Sequence, residues 1–330
     1  MTQPNGKRAK EQSARYFPIS PLLILPSARG EFEVFLKQGE KLVLYTTRGE
    51  RFTEEHRRRL GEAGIARVWI KGIDRDRYDN YLTEYLGEIL ADESVPVSDR
   101  SSVWVEASTH MIEDVFGRDL PEQALRTKFG KLKSVVRSTA AFFTDPVALK
   151  ELSLYMRKGF SSYRHGLSTM VYVTALLGTF EDLAASVVNE VAIGALLHDI
   201  GKTRLPERLI IGDPGQRTED DEAVLRSHPA LGVSVCSRLP MSQEALNCIL
   251  FHHERCDGLG YPSGARRDEL PVYARAVALV NVFDNLTRQT EFQRGITPFA
   301  ALTAMKDEGD CFDMDLLKRF ILVLSRSEIV

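Results

Sequence analysis

Histidines are concentrated in one part of the chain. Three of them belong to two adjacent polar pairs, His198–Asp199 and His252–His253, and each pair follows an apolar segment. A lone histidine is most often an ordinary packed or solvated residue, but clustered histidines favour a shared role such as metal binding. The other two histidines of the chain are isolated and are interpreted as surface or core-edge residues. The five histidines of the cluster are His165, His198, His228, His252 and His253.

The segment GALLHDIGK places a polar pair at the end of an apolar helix. His198 and Asp199 close the helix, and Gly201 stops it. A buried, unpaired carboxylate costs free energy, and a metal ion removes that cost because neutral histidine and ionised aspartate are both good ligands. Neighbouring residues on a helix point about 100° apart. The pair therefore suits either two edges of one ion or two ions bridged by the carboxylate.

The ligand types select among metals. Several imidazoles with one carboxylate argue against Mg²⁺ or Ca²⁺ and suit iron, manganese, cobalt, nickel or zinc. Two such ions about 4 Å apart suit phosphoester hydrolysis, because both cations stabilise the charge that develops in the transition state. The sequence therefore favours a centre of two divalent transition-metal ions, and we expect iron or manganese.

Length, charge and cysteine spacing restrict the class of protein. The 330 residues are enough for two or three domains. The net charge of -3 indicates no global basic surface, so we expect no DNA binding, and a phosphate-rich ligand must be held by local charge. No apolar run reaches the roughly 18 residues of a transmembrane helix, so we expect no membrane insertion. Four cysteines form no C-x-x-C pair, which predicts a reduced, cytoplasmic setting.

A small α/β domain is predicted over residues 17–95. The runs PLLILP, EFEVFLKQ and KLVLYTT predict three strands, Thr53 is the N-cap of a following helix, and ARVWI predicts a fourth strand. Residues 1–16 are polar and lack periodicity, which predicts a disordered tail. The domain has no P-loop, no G-x-G-x-x-G string and no phosphoacceptor pattern. We expect it to serve regulation or dimerisation, through a protein partner or a second copy, on grounds of architecture alone.

The rest of the chain is predicted to be helical. From about residue 100, apolar residues recur at three- and four-residue spacing, and no internal repeat of solenoid length is present. Residues 96–150 are interpreted as a helical linker region, and residues 151–330 as the domain that carries the histidine cluster. The predicted fold class is therefore mainly α: an all-helical domain preceded by a small α/β domain.

Three strings in the helical part resemble a known family. LLHDIGK, SHPALG and HHERCDGLGYP occur in that order, and together they resemble the HD-GYP subgroup of the HD-domain metal-dependent phosphohydrolases over about residues 150 to 325. An HD dipeptide alone is a weak signal, whereas the full H-H-E-x-x-D-G-x-G-Y-P string is specific. The resemblance implies an all-helical HD-type catalytic domain that hydrolyses the second messenger cyclic di-GMP to pGpG or GMP.

The resemblance also implies roles for individual residues. Asp199 and Lys202 would be the catalytic residues, with Lys202 reaching the bridging ligand or the scissile phosphate. In the loop, Arg255 would orient its neighbours, and Tyr261 would shape the pocket or stack on the substrate. The implied metal ligands are His165, His198, Asp199, His228, His252, His253 and Asn281. The implied substrate-binding residues are Arg255, Asp257, Gly258, Gly260, Tyr261, Pro262 and Arg288.

One ligand position departs from the family pattern. The family carries an aspartate just before a second aspartate, whereas here the string LVNVFDNLT places Asn281 at the ligand position and Asp284 at the second. Asparagine offers one neutral carbonyl oxygen in place of an anion. The substitution is expected to weaken metal binding and to raise the net charge of a dinuclear centre by one.

Two further departures concern a third metal and a phosphate clamp. Some family members bind a third ion through a glutamate at the position of Ser161, so two ions at most are expected here. The family's cationic R-P-Y-R/K stretch is also missing, with Arg288 and Arg294 nearby as substitutes. The residues at its place are Thr290, Glu291, Phe292 and Gln293.

These departures leave two main functional hypotheses. The first is an active cyclic di-GMP phosphodiesterase, supported by the intact loop string and most of the ligands. The second is a catalytically degenerate member that senses cyclic di-GMP or binds a partner, supported by Asn281 and the missing clamp. A nucleotide phosphohydrolase of the wider HD group is a third hypothesis, against which the GYP string argues.

Overall fold

The structure is a computed structural model that describes residues 16–116, 121–157 and 162–330. The chain divides into two compact units, one ending at Ala107 and the other beginning at Ser108. Ser161 and the predicted tail up to residue 15 lie outside the described residues, whereas Tyr16 begins a strand. The predicted boundaries at residues 95 and 150 stay predictions.

The first unit contains one antiparallel sheet of four strands in the order β1-β4-β2-β3. Val68 and Ile70 of β4 are fully buried, as expected for a central strand. Thr53 caps the first helix by accepting a hydrogen bond from the His56 backbone N–H at 3.3 Å. The elements are β1 (Tyr16–Ile19), β2 (Val34–Gln38), β3 (Lys41–Thr46), α1 (Glu54–Glu62), β4 (Val68–Lys71) and α2 (Arg75–Ala91).

The predicted strand at PLLILP is wrong. Pro21–Leu23 forms a single 3₁₀ turn, and the first strand lies earlier, at Tyr16–Ile19. Ser20 is the N-cap and its side chain accepts from the Leu22 N–H, while Pro21 occupies the first turn, where its missing N–H costs nothing. Leu23, Ile24 and Leu25 of this run are buried, so their hydrophobicity reflects the core and not a strand.

The second unit is helical, and α3 (Val97–Phe116) runs across the division between the units. The segment DEAVLRSHPALGVSVCSRL, whose apolar spacing predicts a helix over residues 221–239, contains parts of two helices that are separated near Ser227, just before Pro229. The further helices are α4 (Glu122–Thr144), α5 (Pro146–Met156), α6 (Ser162–Leu177), α7 (Ala185–Leu197), α8 (Glu207–Ile211), α9 (Glu219–Leu225), α10 (His228–Cys236), α11 (Gln243–Phe251), α12 (Val272–Thr287), α13 (Pro298–Asp307) and α14 (Met314–Arg326).

Helix α7 is the centre of the helical unit. It packs against α6 and α11, and α6 packs against α12. Residues 191–197 are buried on every face, as expected for a helix surrounded by others. Tyr172, Phe283 and Phe320 pack edge to face nearby, with ring centroids 5.0 to 5.9 Å apart. The polar residues at the end of α7 are therefore held in a rigid apolar frame.

The predicted fold class is confirmed, because the chain is mainly helical with a small α/β unit before the helices. Among the described residues, no helix is both long and apolar enough to cross a membrane.

Candidate metal centre

Five helices bring the five histidines of the cluster and Asn281 together. His165 lies on α6, and His198 directly follows α7 with Asp199 beside it. His228 is the first residue of α10, and His252 and His253 directly follow α11. Asn281 lies in the middle of α12. Helix ends in a packed core supply rigid positions for polar side chains.

The ligand atoms form two groups that share one carboxylate. In one group, which we call the three-histidine cluster, the ligand atoms lie within 4.8 Å of one another. The second group meets the same limit, and with Asn281 beside it we call it the amide-side cluster. The three-histidine cluster is Asp199, His228, His252 and His253, and the amide-side cluster is His165, His198, Asp199 and Asn281.

Backbone carbonyls fix the tautomers of three histidines. The Nδ1 atoms of His198, His228 and His252 lie 2.7, 2.7 and 2.8 Å from the carbonyl oxygens three residues earlier. A carbonyl oxygen only accepts, so each Nδ1 carries the proton and each Nε2 presents a lone pair. This arrangement orients the three Nε2 atoms as metal ligands.

The lone pairs face one another at short range. His228 Nε2 lies 2.9 Å from His252 Nε2, and His198 Nε2 lies 3.1 Å from His165 Nε2. The buried Asp199 Oδ1 accepts no hydrogen bond within the described part of the chain. Converging acceptors without protons between them are unfavourable unless a cation lies among them. The residues present therefore fit a bound metal.

Burial favours the neutral form of four of the imidazoles by lowering their pKa values. It lowers the pKa of His198 well below its usual range and lowers the pKa of His252 to about 4. It lowers the pKa values of His165 and His253 as well. Burial alone would raise the pKa of Asp199, but the Lys202 ammonium and the surrounding histidines hold it well below its usual range. Neutral imidazoles around an ionised carboxylate are the protonation states that metal binding needs.

Asn281 occupies the amide-side cluster with a fixed orientation. Its Oδ1 lies 2.9 Å from His165 Nε2 and accepts a hydrogen bond from Asn285 Nδ2, also at 2.9 Å. Its Nδ2 donates to the His252 carbonyl oxygen at 3.4 Å. These contacts distinguish the amide oxygen of Asn281 from its nitrogen, and the oxygen is the atom turned toward His165. Asn281 is placed to act as a neutral oxygen ligand.

A second layer of polar residues holds His165. The Asp284 carboxylate lies 2.7 Å from His165 Nδ1, and the Ser168 hydroxyl donates to the other oxygen of Asp284. The Arg288 guanidinium is buried and donates to Asp284 at 2.8 Å. In this structure Arg288 is therefore the partner of Asp284, and its contact with substrate stays a prediction. Ser168 was not identified from sequence, although its position one helical turn after His165 was a signal.

Lys202 and Gly201 connect Asp199 to its neighbours. Lys202 Nζ donates to Asp199 Oδ2 at 2.6 Å, and its side chain stays 29% exposed, so it reaches both the cluster and solvent. A Cβ atom at Gly201 would lie 1.9 Å from the carbonyl oxygen of His228. The absence of a side chain there lets the two ligand-bearing segments pack directly on each other.

The loop after His253 is built from close backbone contacts. Gly258 has a φ of 81°, and a Cβ at Gly260 would lie 2.4 Å from the Arg255 backbone nitrogen, so both positions need glycine. The buried Glu254 carboxylate accepts from both the N–H and the hydroxyl of Ser263 at 2.7 Å. Glu254 was missed as a loop anchor, although it directly follows the histidine pair.

Arg255 and Asp257 also stabilise this loop from within. Arg255 donates to Asp257 at 2.6 Å, and Asp257 accepts from the Leu259 N–H at 2.9 Å. The Tyr261 ring stacks on the His253 ring, with centroids 4.6 Å apart and 17° between the planes. The Tyr261–Pro262 peptide bond is cis. The expected loop residues thus lie beside the three-histidine cluster.

A cavity of about 360 Å³ opens on this side of the centre. His252 and His253 line one part of it, and Tyr261, Arg226 and Arg255 line another. Its volume is in the range of small-molecule sites. The metal ligands therefore border a space that a substrate can enter.

Comparisons with known proteins identify the family. Residues 157–316 match the family model of the HD domain. A cyclic di-GMP phosphodiesterase of Pseudomonas aeruginosa is 29% identical over 186 residues, which cover 56% of this chain and 44% of the relative. The response regulator RpfG of Xanthomonas campestris, also named a cyclic di-GMP phosphodiesterase, is 34% identical over 159 residues, covering 46% of this chain and 42% of RpfG.

These comparisons place the chain among proteins similar to the HD-domain family and to relatives named cyclic di-GMP phosphodiesterases. The resemblance inferred from the three sequence strings is thereby confirmed. The chain is also similar in fold to an HDG"Y"P protein from Bdellovibrio bacteriovorus, with a TM-score of 0.65, 21% identity, and coverage of 94% of this chain and 99% of the other. It spans less than half the length of the two curated relatives.

Proposed function

We propose that this HD-GYP protein is a metal-dependent phosphodiesterase that hydrolyses cyclic di-GMP to pGpG or GMP. The observation that carries the proposal is the pair of ligand clusters that share the Asp199 carboxylate. Two curated relatives are named for this activity. A single carboxylate between two sets of imidazoles can hold two ions close together, as two-metal phosphoester hydrolysis requires.

The proposed cofactor is a pair of divalent transition-metal ions, with iron or manganese preferred. The three-histidine cluster would hold one ion and the amide-side cluster the other, with Asp199 as ligand to both. Imidazole-rich sites with one carboxylate suit these metals. When bound, two such ions supply Lewis acidity and an activated water for attack on phosphorus.

The side chains around the clusters would orient the substrate. Lys202 is hydrogen-bonded to Asp199 and still partly exposed, so its ammonium is placed to hold a phosphate oxygen beside the shared ligand. Tyr261, stacked on His253, forms a rigid wall of the neighbouring cavity. Asp257, Gly258, Gly260 and Pro262 set the shape of that wall through the loop backbone.

The degenerate alternative is weaker. It rests on Asn281 and the missing cationic stretch, but the Asn281 amide still turns an oxygen toward His165, and the three-histidine cluster is complete. We further propose that the protein acts in the cytoplasm and that its N-terminal unit serves regulation or dimerisation, which rests on architecture alone.

The test is turnover of cyclic di-GMP by the full chain purified without chelator and supplied with Mn²⁺ or anaerobic Fe²⁺. We expect release of pGpG or GMP, followed by chromatography, and loss of activity after treatment with EDTA. Restoration by either metal would support the proposal. Absence of turnover with both metals, in protein shown by elemental analysis to be loaded, would sink it.

A further inference from the structure

Arg226 is an exposed cation at the cavity beside the metal centre, two residues before the ligand His228. Its guanidinium carbon lies 5.3 Å from the centroid of the Tyr261 ring. His253 stacks on that same ring at 4.6 Å. Tyr261 therefore contacts both His253 and Arg226. The guanidinium carbon therefore lies no farther from the His253 ring than the sum of these two distances.

The other cations that line this cavity or the metal centre already have carboxylate partners. Arg255 pairs with Asp257 at 2.6 Å, and Arg275 pairs with Asp313. Lys202 and Arg288 pair with Asp199 and Asp284 at 2.6 and 2.8 Å.

Arg226 differs from these cations. Within residues 16–116, 121–157 and 162–330, no carboxylate forms an ion pair with Arg226. The acidic residue one turn earlier, Glu222, pairs instead with Arg217 at 3.6 Å. An arginine held over an aromatic ring gains a modest cation–π contact and keeps its N–H donors free. Its guanidinium is therefore available to an incoming anion.

The proposed substrate carries two phosphates, and the metal centre accounts for one of them. The second is a monoanion that needs a counter-charge at a short distance from the first. Because the planar fork of arginine matches two phosphate oxygens, arginine is better suited than lysine to hold such a group. Among the described cations of this cavity, Arg226 is the one left to bind the second phosphate, because the others are paired with carboxylates.

We propose that Arg226 binds the second phosphate of the cyclic dinucleotide, the one not held at the metal centre. The proposal rests on the proposed function for the identity of the substrate. Arg226 is thus a substrate-binding residue that discriminates dinucleotides with two phosphates from simple diesters with one. Its attachment next to His228 fixes the spacing between the second phosphate and the three-histidine cluster.

The test compares Arg226→Ala and Arg226→Lys with Arg238→Ala in the metal-loaded full chain. Arg238 is also exposed and lies in the same unit, and it lines neither the metal centre nor the cavity beside it. Calorimetry measures binding of cyclic di-GMP, and kinetics compares KM for cyclic di-GMP with KM for bis(p-nitrophenyl) phosphate, which has one phosphate. We expect Arg226→Ala to weaken cyclic di-GMP binding about tenfold, since one charge-assisted contact is lost.

The remaining outcomes separate this inference from the proposed function. Arg226→Lys should recover part of the affinity, and KM for the one-phosphate diester should change less than about twofold, because no second phosphate is present. Equal losses on both substrates, or binding by Arg226→Ala equal to that of Arg238→Ala, would overturn the inference. A wild type that binds cyclic di-GMP through Arg226 without turning it over would overturn the proposed function alone. A wild type that does not bind cyclic di-GMP overturns the inference.

Discussion

The two halves of the metal centre use the same carboxylate but different additional ligands. The three-histidine cluster surrounds Asp199 with three imidazoles, whereas the amide-side cluster has two imidazoles and the neutral oxygen of Asn281. Of the residues in these two clusters, Asp199 alone carries a negative charge. Because one anion serves both halves, an ion on the three-histidine side weakens the attraction for a second ion on the amide side.

The two halves are therefore similar in the placement of their ligands but are expected to differ in metal affinity. Both halves are built at helix ends or on helices packed around α7, and both have ordered ligand atoms. The neutral ligands distinguish them, because α12 supplies the amide oxygen of Asn281 where the other half has a third imidazole. We therefore expect the three-histidine cluster to retain its ion during purification and the amide-side cluster to exchange its ion more readily.

The largest expected effect comes from removing what the halves share. Asp199→Ala should abolish binding of both ions and lower cyclic di-GMP turnover by about 1000-fold or more, since no ligand then bridges the two clusters. Elemental analysis of the purified variant and a turnover assay measure these losses. Asp213→Ala, an aspartate that caps a short surface turn, is the control and should keep its metal. Full metal content in Asp199→Ala would contradict the shared-ligand arrangement.

A second change should reduce the difference between the halves. Asn281→Asp adds a carboxylate oxygen beside His165 and should tighten binding of the more weakly held ion by about tenfold or more. Titration of metal-free protein, followed by calorimetry, measures both affinities. The control is Asn189→Asp, which adds the same charge about 13 Å along α7 from His198.

The outcome of that change also separates the functional hypotheses. Turnover that is absent in the wild type and present in Asn281→Asp would mean that the natural residue has disabled the enzyme. Equal affinities before and after the change would mean that the amide oxygen already serves as well as a carboxylate.

The smallest expected effect concerns the loop on the three-histidine side. The Arg255 guanidinium lowers the pKa of Asp257 from its usual 3.8 to about 2. Because the folded-state pKa is depressed, the stabilisation is present above pH 3.8 and is lost as the pH falls toward 2. Thermal unfolding of metal-free protein should show a wild-type advantage over Asp257→Asn at pH 5 that shrinks toward pH 2. A constant advantage across that range would contradict a stabilising role for the ionised carboxylate.

Much of the metal centre was predictable from the sequence. The pairs His198–Asp199 and His252–His253 combine ligand chemistry with apolar flanks, and these two properties place them at buried helix ends. Asn281 was predicted because the spacing of the α12 string resembles that of the family. Each candidate ligand could be identified from its residue type and its spacing from neighbouring residues in the sequence.

The contacts that orient the ligands could not be predicted in the same way. Asp284 and Arg288 stand four residues apart, a spacing that suits an ion pair on one helix, but the contacts of Asp284 with His165 and Ser168 depend on how α6 and α12 pack. The prediction of a strand at PLLILP was wrong for a related reason, since a short apolar segment fits a buried turn as well as a strand. The position of Arg226 over Tyr261 likewise requires the fold of the loop.

Because Gly201 has no Cβ atom, the segment that carries Asp199 can pack directly against the segment that carries His228. A substitution there would separate the segment of Asp199 from that of His228 without altering either ligand. The geometry of the metal centre is therefore encoded partly by a residue that has no functional group. Within this fold, a lineage that loses this glycine would be expected to lose tight metal binding even with every histidine retained.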